Sequence, residues 1–180
     1  QVDMINKQLN SDIPLIIEPS RRDTYPAISL ASIYLHSVKK ANPHEVIVVM
    51  PIDAHVEDAF FHHINTLEGI VQCSNSELAL VGIQPTFPSE KYGYIIPNSS
   101  QITNSVEDYQ TVRCFIEKPN QKEAKTLLEK GALWNGGVFA FKLEFMLDHL
   151  ETQGQPLNYE KMIKQYTELP KNSFDYEVVE

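Results

Sequence analysis

The sequence has few cysteines, an excess of negative charge and no long apolar run, and each feature excludes a class of protein. Its two cysteines, Cys73 and Cys114, show neither a CxxC spacing nor a histidine at zinc-ligand spacing, so we expect a reduced, cytoplasmic protein. The net charge of -9 provides no basic surface for a nucleic-acid backbone. No apolar run approaches the roughly 20 residues of a membrane span, and the start QVDMINKQLN does not resemble a signal peptide.

What the chain does contain is typical of one globular domain, which we place over residues 1–180. Hydrophobic residues make up 42% and charged residues 22% of its 180 residues, both ordinary for a protein with its own apolar core. A chain of this length buries enough apolar surface to fold without disulfides or a structural metal. The acidic composition does not exclude nucleotides as ligands, because a few local donors and a metal ion can hold them. It also leaves self-association open.

Apolar periodicity predicts short strands that alternate with amphipathic helices. Strands are predicted over 14–18, 45–50, 78–83, 93–96, 111–117 and 138–141, and a short strand or turn over 69–73. Helices are predicted over 27–40, 56–67, 121–130, 143–150 and 159–166. This alternation is typical of the α/β class, here a three-layer α/β/α arrangement with a mixed, mostly parallel sheet. Ligands of such sheets bind beyond the carboxyl ends of the strands, so the residues that follow each strand are the candidates for a site.

The segment after the first predicted strand, residues 18–27, is rich in hydrogen-bond donors. Arg21, Arg22 and the start of the next helix are suited to binding a phosphate or a base. The alternative is a plain helix cap by Asp23 or Thr24. The two interpretations are compatible, because a capped helix start can also face a ligand.

A carboxylate, Asp53, follows the most apolar of the predicted strands. At that position a carboxylate is suited to a hard cation such as Mg2+, and the alternative is an N-cap for the next helix. Asp58 is predicted to lie inside that helix on a solvated face. His55, His62 and His63 lack the spacing of a ligand set, so no metal is assigned to them.

Three further turns carry residues that could contact a ligand. Gly93 allows a backbone to approach a ligand closely, although glycine is also common in plain turns. Glu117 and Lys118 place a hydroxyl acceptor beside a phosphate donor, and the alternative is a surface ion pair ahead of a helix. The side chain of Asn135 can both donate and accept hydrogen bonds. The alternative for the two glycines that follow it, Gly136 and Gly137, is a tight turn or bulge.

Taken together and in this order, these segments resemble the mannose-1-phosphate guanylyltransferases, within the wider group of sugar nucleotidylyltransferases. The stretches that carry the resemblance are EPSRRDTYPAI, VVMPIDAHVED, GIQPTFPSEKYGYI, FIEKPN, LWNGGVFAF and SFDYEVVE. They run collinearly from Glu18 to Glu180, nearly the whole chain. Six matches in order are far more specific than any one of them.

The resemblance implies a Rossmann-like fold of the nucleotide-diphospho-sugar transferase type and a Mg2+-assisted transfer. Mannose 1-phosphate would attack the α-phosphate of GTP, giving GDP-mannose and pyrophosphate. Asp53 would be a metal ligand, and Lys118 would hold the sugar phosphate, so these two are the catalytic candidates. The guanine and ribose end would be formed by Arg22, Thr24, Pro26 and Ala27. The sugar would be held by Gly93, Glu117, Asn135, Gly136 and Asp175.

The chain also departs from the family pattern. It lacks the glycine-rich loop that cradles the triphosphate, since its seven glycines are scattered, and it lacks the second metal carboxylate of a Trp-Ser-Asp-Val-Gly segment. We therefore expect the catalytic domain to be incomplete at both ends and the chain to be inactive by itself. The usual Asp-His pair becomes Asp53-Ala54, and Asn-Ser-Gly becomes Asn135-Gly136-Gly137.

Two other functions remain open at this point. One is a sugar-1-phosphate nucleotidylyltransferase that joins glucose 1-phosphate to dTTP, UTP or CTP, although the Arg-Arg-Asp-Thr-x-Pro-Ala stretch favours the guanylyl branch. The other is a non-catalytic module that binds nucleotide sugars and has lost the chemistry.

Overall fold

A computed structural model describes residues 5, 7, 13–53, 56–74, 76–98 and 109–179. The helices are α1 (Thr24–Ser37), α2 (Asp58–Cys73), α3 (Gln121–Glu129), α4 (Leu143–Thr152) and α5 (Tyr159–Gln165). The strands are β1 (Val46–Val49), β2 (Leu78–Ile83), β3 (Tyr94–Pro97), β4 (Val112–Ile116) and β5 (Leu133–Lys142). A short 3-10 turn (Tyr166–Glu168) and a π-helical turn (Asp175–Val179) follow α5. None of the described helices is both long and apolar enough to span a membrane.

The sheet is organised around β5, the longest strand described. β1 pairs with its second half, β3 pairs with its first residues, and β2 runs along its other edge. β4 pairs with β3 and completes the path β1-β5-β3-β4. Every one of these described pairings is antiparallel, which corrects the expectation of a mostly parallel sheet.

Two of the strands are parallel to each other, as the alternating pattern predicted, but they are not hydrogen-bonded neighbours in the sheet. β1 and β2 both run antiparallel to β5 and therefore run in the same direction as each other, joined through α2. β5 lies between them because a later part of the chain returns into the sheet. An alternating pattern predicts the direction of strands joined by a helix, and it does not predict which strand comes to lie between them.

Helices cover both faces of the sheet, which confirms the α/β class and the three layers. On one face, Phe139 and Phe141 of β5 pack in a cluster with residues of α1, α4 and α5. On the other face, Val138 and Ala140 pack against α2. Successive residues of β5 point to opposite faces, so this strand contributes to both halves of the core.

Three local predictions are wrong. Residues 14–18 form no strand; their segment is instead tied to the core by the Tyr166 hydroxyl, which donates to Glu18. Residues 69–73 are the last turn of α2, because the apolar spacing of the helix continues through Val71. The apolar run of β1 suggested a central strand, yet β1 stands at one end of the described strand order.

Replacing Phe174 by alanine should lower the free energy of unfolding by about 3–5 kcal/mol. Phe174 is fully buried and its ring centroid lies 4.8 Å from that of Phe139 and 5.7 Å from that of Phe141. Urea denaturation measures the loss. Phe61→Ala is the control, because the Phe61 ring is 47% exposed and should cost less than about 1 kcal/mol. Equal losses would contradict the packing described here.

Candidate functional site

The sheet opens along one edge of β5. Because β2 occupies the other edge at both halves of β5, β1 and β3 must share this one. β1 ends opposite Phe139 and β3 begins opposite Trp134, so residues 135–138 lie where one strand leaves and the next arrives. Crevices at such divergences are common ligand sites in α/β sheets.

Several of the predicted site residues lie at this opening. The backbone N–H of Asn135 donates to the carbonyl oxygen of Gly93 at 2.8 Å. Ile116, the last residue of β4, pairs with Tyr94, which brings Glu117 beside Gly93. The loop that follows β1 also arrives here, because Pro51 Cγ lies 4.0 Å from where a Cβ would stand on Gly137.

Glu117 and Lys118 form an ion pair whose carboxylate is buried and whose ammonium is partly exposed. Lys118 Nζ lies 2.6 Å from Glu117 Oε1, and the Glu117 side chain is only 5% exposed whereas that of Lys118 is 48% exposed. The hydrogen bond from Lys118 to Glu117 raises the pKa of the ammonium. Lys118 adopts a φ of 46°, a left-handed conformation that costs a non-glycine residue energy. The ion pair of the alternative interpretation is therefore present ahead of α3, with its ammonium at the surface and its carboxylate buried.

Gly93 is required by the approach of Glu117. A Cβ on Gly93 would stand 2.5 Å from Glu117 Oε2 and 2.5 Å from Phe115 Cζ. Phe115 is buried, so it has little room to move away. The absence of a side chain at Gly93 therefore makes the space in which the Glu117 carboxylate is held.

Asn135 and Asp175 join β5 to the π-helical turn near the end of the described chain. Asn135 Nδ2 donates to Asp175 Oδ1, and Asn135 Oδ1 accepts from the backbone N–H of Gly137 at 3.1 Å. Burial raises the pKa of the Asp175 carboxyl, and the negative charge of Glu117 raises it further. The hydrogen bond from Asn135 and the charge of Lys118 oppose that shift. Gly93, Glu117, Lys118, Asn135 and Asp175 thus form one connected cluster.

Gly136 has a structural reason to be glycine. A Cβ there would stand 3.0 Å from the carbonyl oxygen of Val81, on the side where β2 packs. Gly137 has a φ of 69°, which favours glycine. Close packing against β2 and the positive φ of Gly137 within β5 account for the two glycines, and a role of Gly136 in binding a sugar stays a prediction.

Asp53 is exposed and makes no hydrogen bond or ion pair with the described part of the chain. The N-cap alternative is wrong, because α2 starts at Asp58 with Glu57 as its N-cap residue. Within the described residues, no group of three or more histidine, cysteine, aspartate or glutamate side chains converges to hold a metal. Mg2+ is usually bound by one or two carboxylates together with substrate phosphates and waters, so a single free carboxylate fits that role.

The residues predicted at the nucleotide end surround the start of α1. Arg22 Nη1 donates to the carbonyl oxygen of Leu169 at 2.7 Å. Asp23 Oδ1 accepts from the N–H of Thr24 at 2.8 Å, which confirms the predicted helix cap. Pro26 is buried and Ala27 is half-buried. Contacts of Arg22, Thr24, Pro26 and Ala27 with a nucleotide stay predictions.

Tyr176 is part of the cluster and was not among the predicted residues. The Lys118 ammonium lies 5.7 Å from the centroid of its ring, within the range of a cation–π contact. Glu90 was also missed: its Oε1 accepts from the N–H of Gln121 at 2.9 Å and ties the turn before Gly93 to the start of α3. The sequence signal that could have identified Tyr176 is its position directly after Asp175. Nothing in the sequence indicated the contact of Glu90.

The chain belongs to the nucleotidyl transferase family, whose sequence pattern matches residues 4–177. It is 34% identical to a mannose-1-phosphate guanylyltransferase of Escherichia coli over 153 residues, covering 83% of this chain and 32% of that protein. It is 30% identical to a mannose-1-phosphate guanylyltransferase of Sinorhizobium fredii over 140 residues, covering 76% of this chain and 26% of that protein. The chain thus spans about a quarter to a third of these curated relatives.

Solved structures show the same fold. A structure named mannose-1-phosphate geranyltransferase from Thermus thermophilus superimposes with a TM-score of 0.71 at 29% identity, over 99% of this chain and 54% of that one. A mannose-6-phosphate isomerase from Helicobacter pylori gives the same TM-score at 19% identity, over 99% and 72% of the two chains, which supports the fold alone. The family and the nucleotidyltransferase-like fold are therefore those that the sequence resemblance implied.

The Asp175→Asn variant should gain stability relative to the parent protein as the pH rises. The folded state raises the pKa of Asp175 above its ordinary value of 3.8, so the folded state favours the protonated carboxyl. The contribution of that carboxyl to stability is complete below about pH 4 and is lost as the pH rises through the raised folded-state pKa. Asparagine does not titrate and keeps an oxygen for Asn135.

Urea denaturation of both proteins between pH 3.5 and 7.5 measures this difference. We expect the free energy of unfolding of Asp175→Asn minus that of the parent to increase across this interval and then level off. Asp148→Asn, on an exposed position of α4, is the control and should show no such rise. A difference for Asp175→Asn that is constant or decreases with pH would refute the assignment.

Proposed function

We propose that this chain carries the sugar-phosphate side of a mannose-1-phosphate guanylyltransferase site, which joins mannose 1-phosphate to GTP and gives GDP-mannose and pyrophosphate. The observation that carries the proposal is the convergence of Gly93, Glu117, Lys118, Asn135 and Asp175 at the opening beside β5. Membership in the nucleotidyl transferase family and the names of its relatives supply the reaction class.

Lys118 is the group that would bind the phosphate of the sugar. An ammonium has three N–H donors, and the contact with Glu117 uses one of them. Two donors remain for phosphate oxygens, and the half-exposed side chain can reach a ligand from the protein surface. The ion pair keeps Lys118 charged and restricts its orientation before a ligand arrives.

The two carboxylates would accept hydrogen bonds from sugar hydroxyls. Glu117 uses Oε1 for Lys118, and Oε2, beside Gly93, accepts no hydrogen bond from the described residues. Asp175 is held by Asn135, whose own oxygen is fixed by Gly137. A sugar offers several hydroxyl donors on a small surface, and buried oriented acceptors distinguish it from ligands that lack them.

The charges of the cluster explain why a cation would be needed. Glu117 and Asp175 oppose the single charge of Lys118, so a second phosphate group approaching the sugar phosphate would meet too little positive charge. We propose that Asp53 binds Mg2+, which when bound neutralises phosphate charge and orients the transferring group. The attacking phosphate oxygen is already anionic, so alignment and charge stabilisation suffice and no general base is required.

The nucleotide would lie toward the start of α1, near Arg22, Thr24, Pro26 and Ala27. GTP is proposed because the relatives cited above are guanylyltransferases, and a panel of GTP, dTTP, UTP and CTP tests that choice. We place the reaction in the cytoplasm, consistent with both cysteines being free.

Replacing Lys118 by methionine should weaken the binding of mannose 1-phosphate roughly 10- to 100-fold, because a charge-assisted hydrogen bond to phosphate is lost. Isothermal titration calorimetry measures the affinity, with mannose as a second ligand. The parent protein should prefer mannose 1-phosphate over mannose, and the variant should lose most of that preference.

Lys122→Met on the exposed side of α3 is the matched control and should bind like the parent. Unchanged affinity of Lys118→Met for mannose 1-phosphate would remove Lys118 from the phosphate role. No binding of mannose 1-phosphate by the parent protein would refute the proposed function of the cluster.

The 180-residue chain alone should release no pyrophosphate from GTP and mannose 1-phosphate in the presence of Mg2+. By resemblance to the family, backbone donors of a glycine-rich loop would hold the triphosphate, and the seven glycines of this sequence are too scattered to form one. A coupled pyrophosphate assay measures turnover, with the Escherichia coli relative as the positive control. Robust turnover by the chain would show that other residues hold the triphosphate.

A further inference from the structure

The start of α1 and the segment that carries Asp175 are joined across 150 residues of sequence. The backbone N–H of Phe174 donates to Thr24 Oγ1 at 2.9 Å. One residue further along α1, the N–H of Tyr25 donates to the carbonyl oxygen of Asn172 at 3.2 Å. The first contact holds the backbone N–H of Phe174, the residue directly before Asp175.

The Phe174 side chain fixes the same point from the other side. Its fully buried ring packs against Phe139 and Phe141 of β5. The ring prevents the segment from sliding over the sheet, and the bond to Thr24 sets the direction of the backbone as it turns toward Asn135. Together these contacts hold the residue directly before Asp175.

The residues after Asp175 are also connected to α1. Gln153 Nε2 donates to Glu177 Oε1 at 3.2 Å, and Gln153 Oε1 accepts from the Tyr25 hydroxyl at 2.7 Å. The start of α1 therefore contacts the segment directly before Asp175 and is linked through Gln153 to the residues after it. Resemblance to the family suggested the nucleotide as the partner of Thr24, whereas the hydroxyl here already accepts a hydrogen bond from the protein.

We propose that Thr24 is a positioning residue for Asp175, and that through Phe174 it sets the affinity for the sugar phosphate. This inference rests on the proposed function, because Asp175 is assigned there to a sugar hydroxyl. The hydrogen bond between Thr24 and Phe174 thus links the predicted nucleotide end of the site to its sugar end.

The opposite end of α1 offers a matched control. The N–H of Tyr159 donates to Ser37 Oγ at 3.0 Å, across 122 residues of sequence. Ser37→Ala removes a hydroxyl–amide bond of the same kind from the same helix, at its far end from the cluster. A loss of stability alone affects Thr24→Val and Ser37→Ala alike, and a positioning effect is confined to Thr24→Val.

The first measurement is the pKa of Asp175, followed by carboxyl 13C NMR in the parent protein, Thr24→Val, Thr24→Ser and Ser37→Ala. Thr24→Val should move this pKa down toward 3.8, because a loosened carboxyl is less buried. Thr24→Ser keeps the acceptor and should match the parent, as should Ser37→Ala. An unchanged pKa in Thr24→Val, or an equal shift in Ser37→Ala, overturns the proposal.

The second measurement is the affinity for mannose 1-phosphate by isothermal titration calorimetry. Thr24→Val should weaken it roughly two- to tenfold, the range expected for one hydrogen bond, and Thr24→Ser should restore it. A shifted pKa with unchanged affinity overturns the positioning role. If the parent protein binds no mannose 1-phosphate, the proposed function fails, and the NMR titration still decides whether Thr24 positions Asp175.

Discussion

The antiparallel pairing of β5 is the constraint on which the rest of the structure depends. The second half of this strand supplies apolar residues to both faces of the sheet, and its first half supplies Asn135 to the candidate site. A slip of one residue in its pairing would move Phe139 and Phe141 to the face of α2 and turn Asn135 away from Asp175. The packing of the core therefore also sets the geometry of the polar cluster.

Local sequence patterns predicted most helices and strands but not the neighbours of each strand. β2, β4, α3 and α4 were predicted within about two residues, because their apolar spacing and flanking polar residues are local signals. The antiparallel insertion of β5 depends on contacts between distant segments, and no local pattern reports them. Residues 14–18 looked like a strand for the same reason: five residues of suitable composition do not reveal whether a partner strand is available.

The sequence predicted which residues belong to the candidate site, but it did not predict the contacts between them. Resemblance to a family placed Gly93, Glu117, Lys118, Asn135 and Asp175 together by role. It did not indicate that Glu117 is buried, because that burial results from the missing side chain of Gly93 on a different strand. The contact of Thr24 with Phe174 likewise joins residues that share no local pattern, and only the folded chain brings them together.

Several features that cost energy lie where the function is proposed. Two carboxylates surround one ammonium, burial and the Glu117 charge oppose ionisation of Asp175, and Lys118 holds a left-handed conformation. Each of these features disfavours folding, and no packing requirement of the core explains them. A ligand with several hydroxyl donors and a phosphate would satisfy both carboxylates and the ammonium at once.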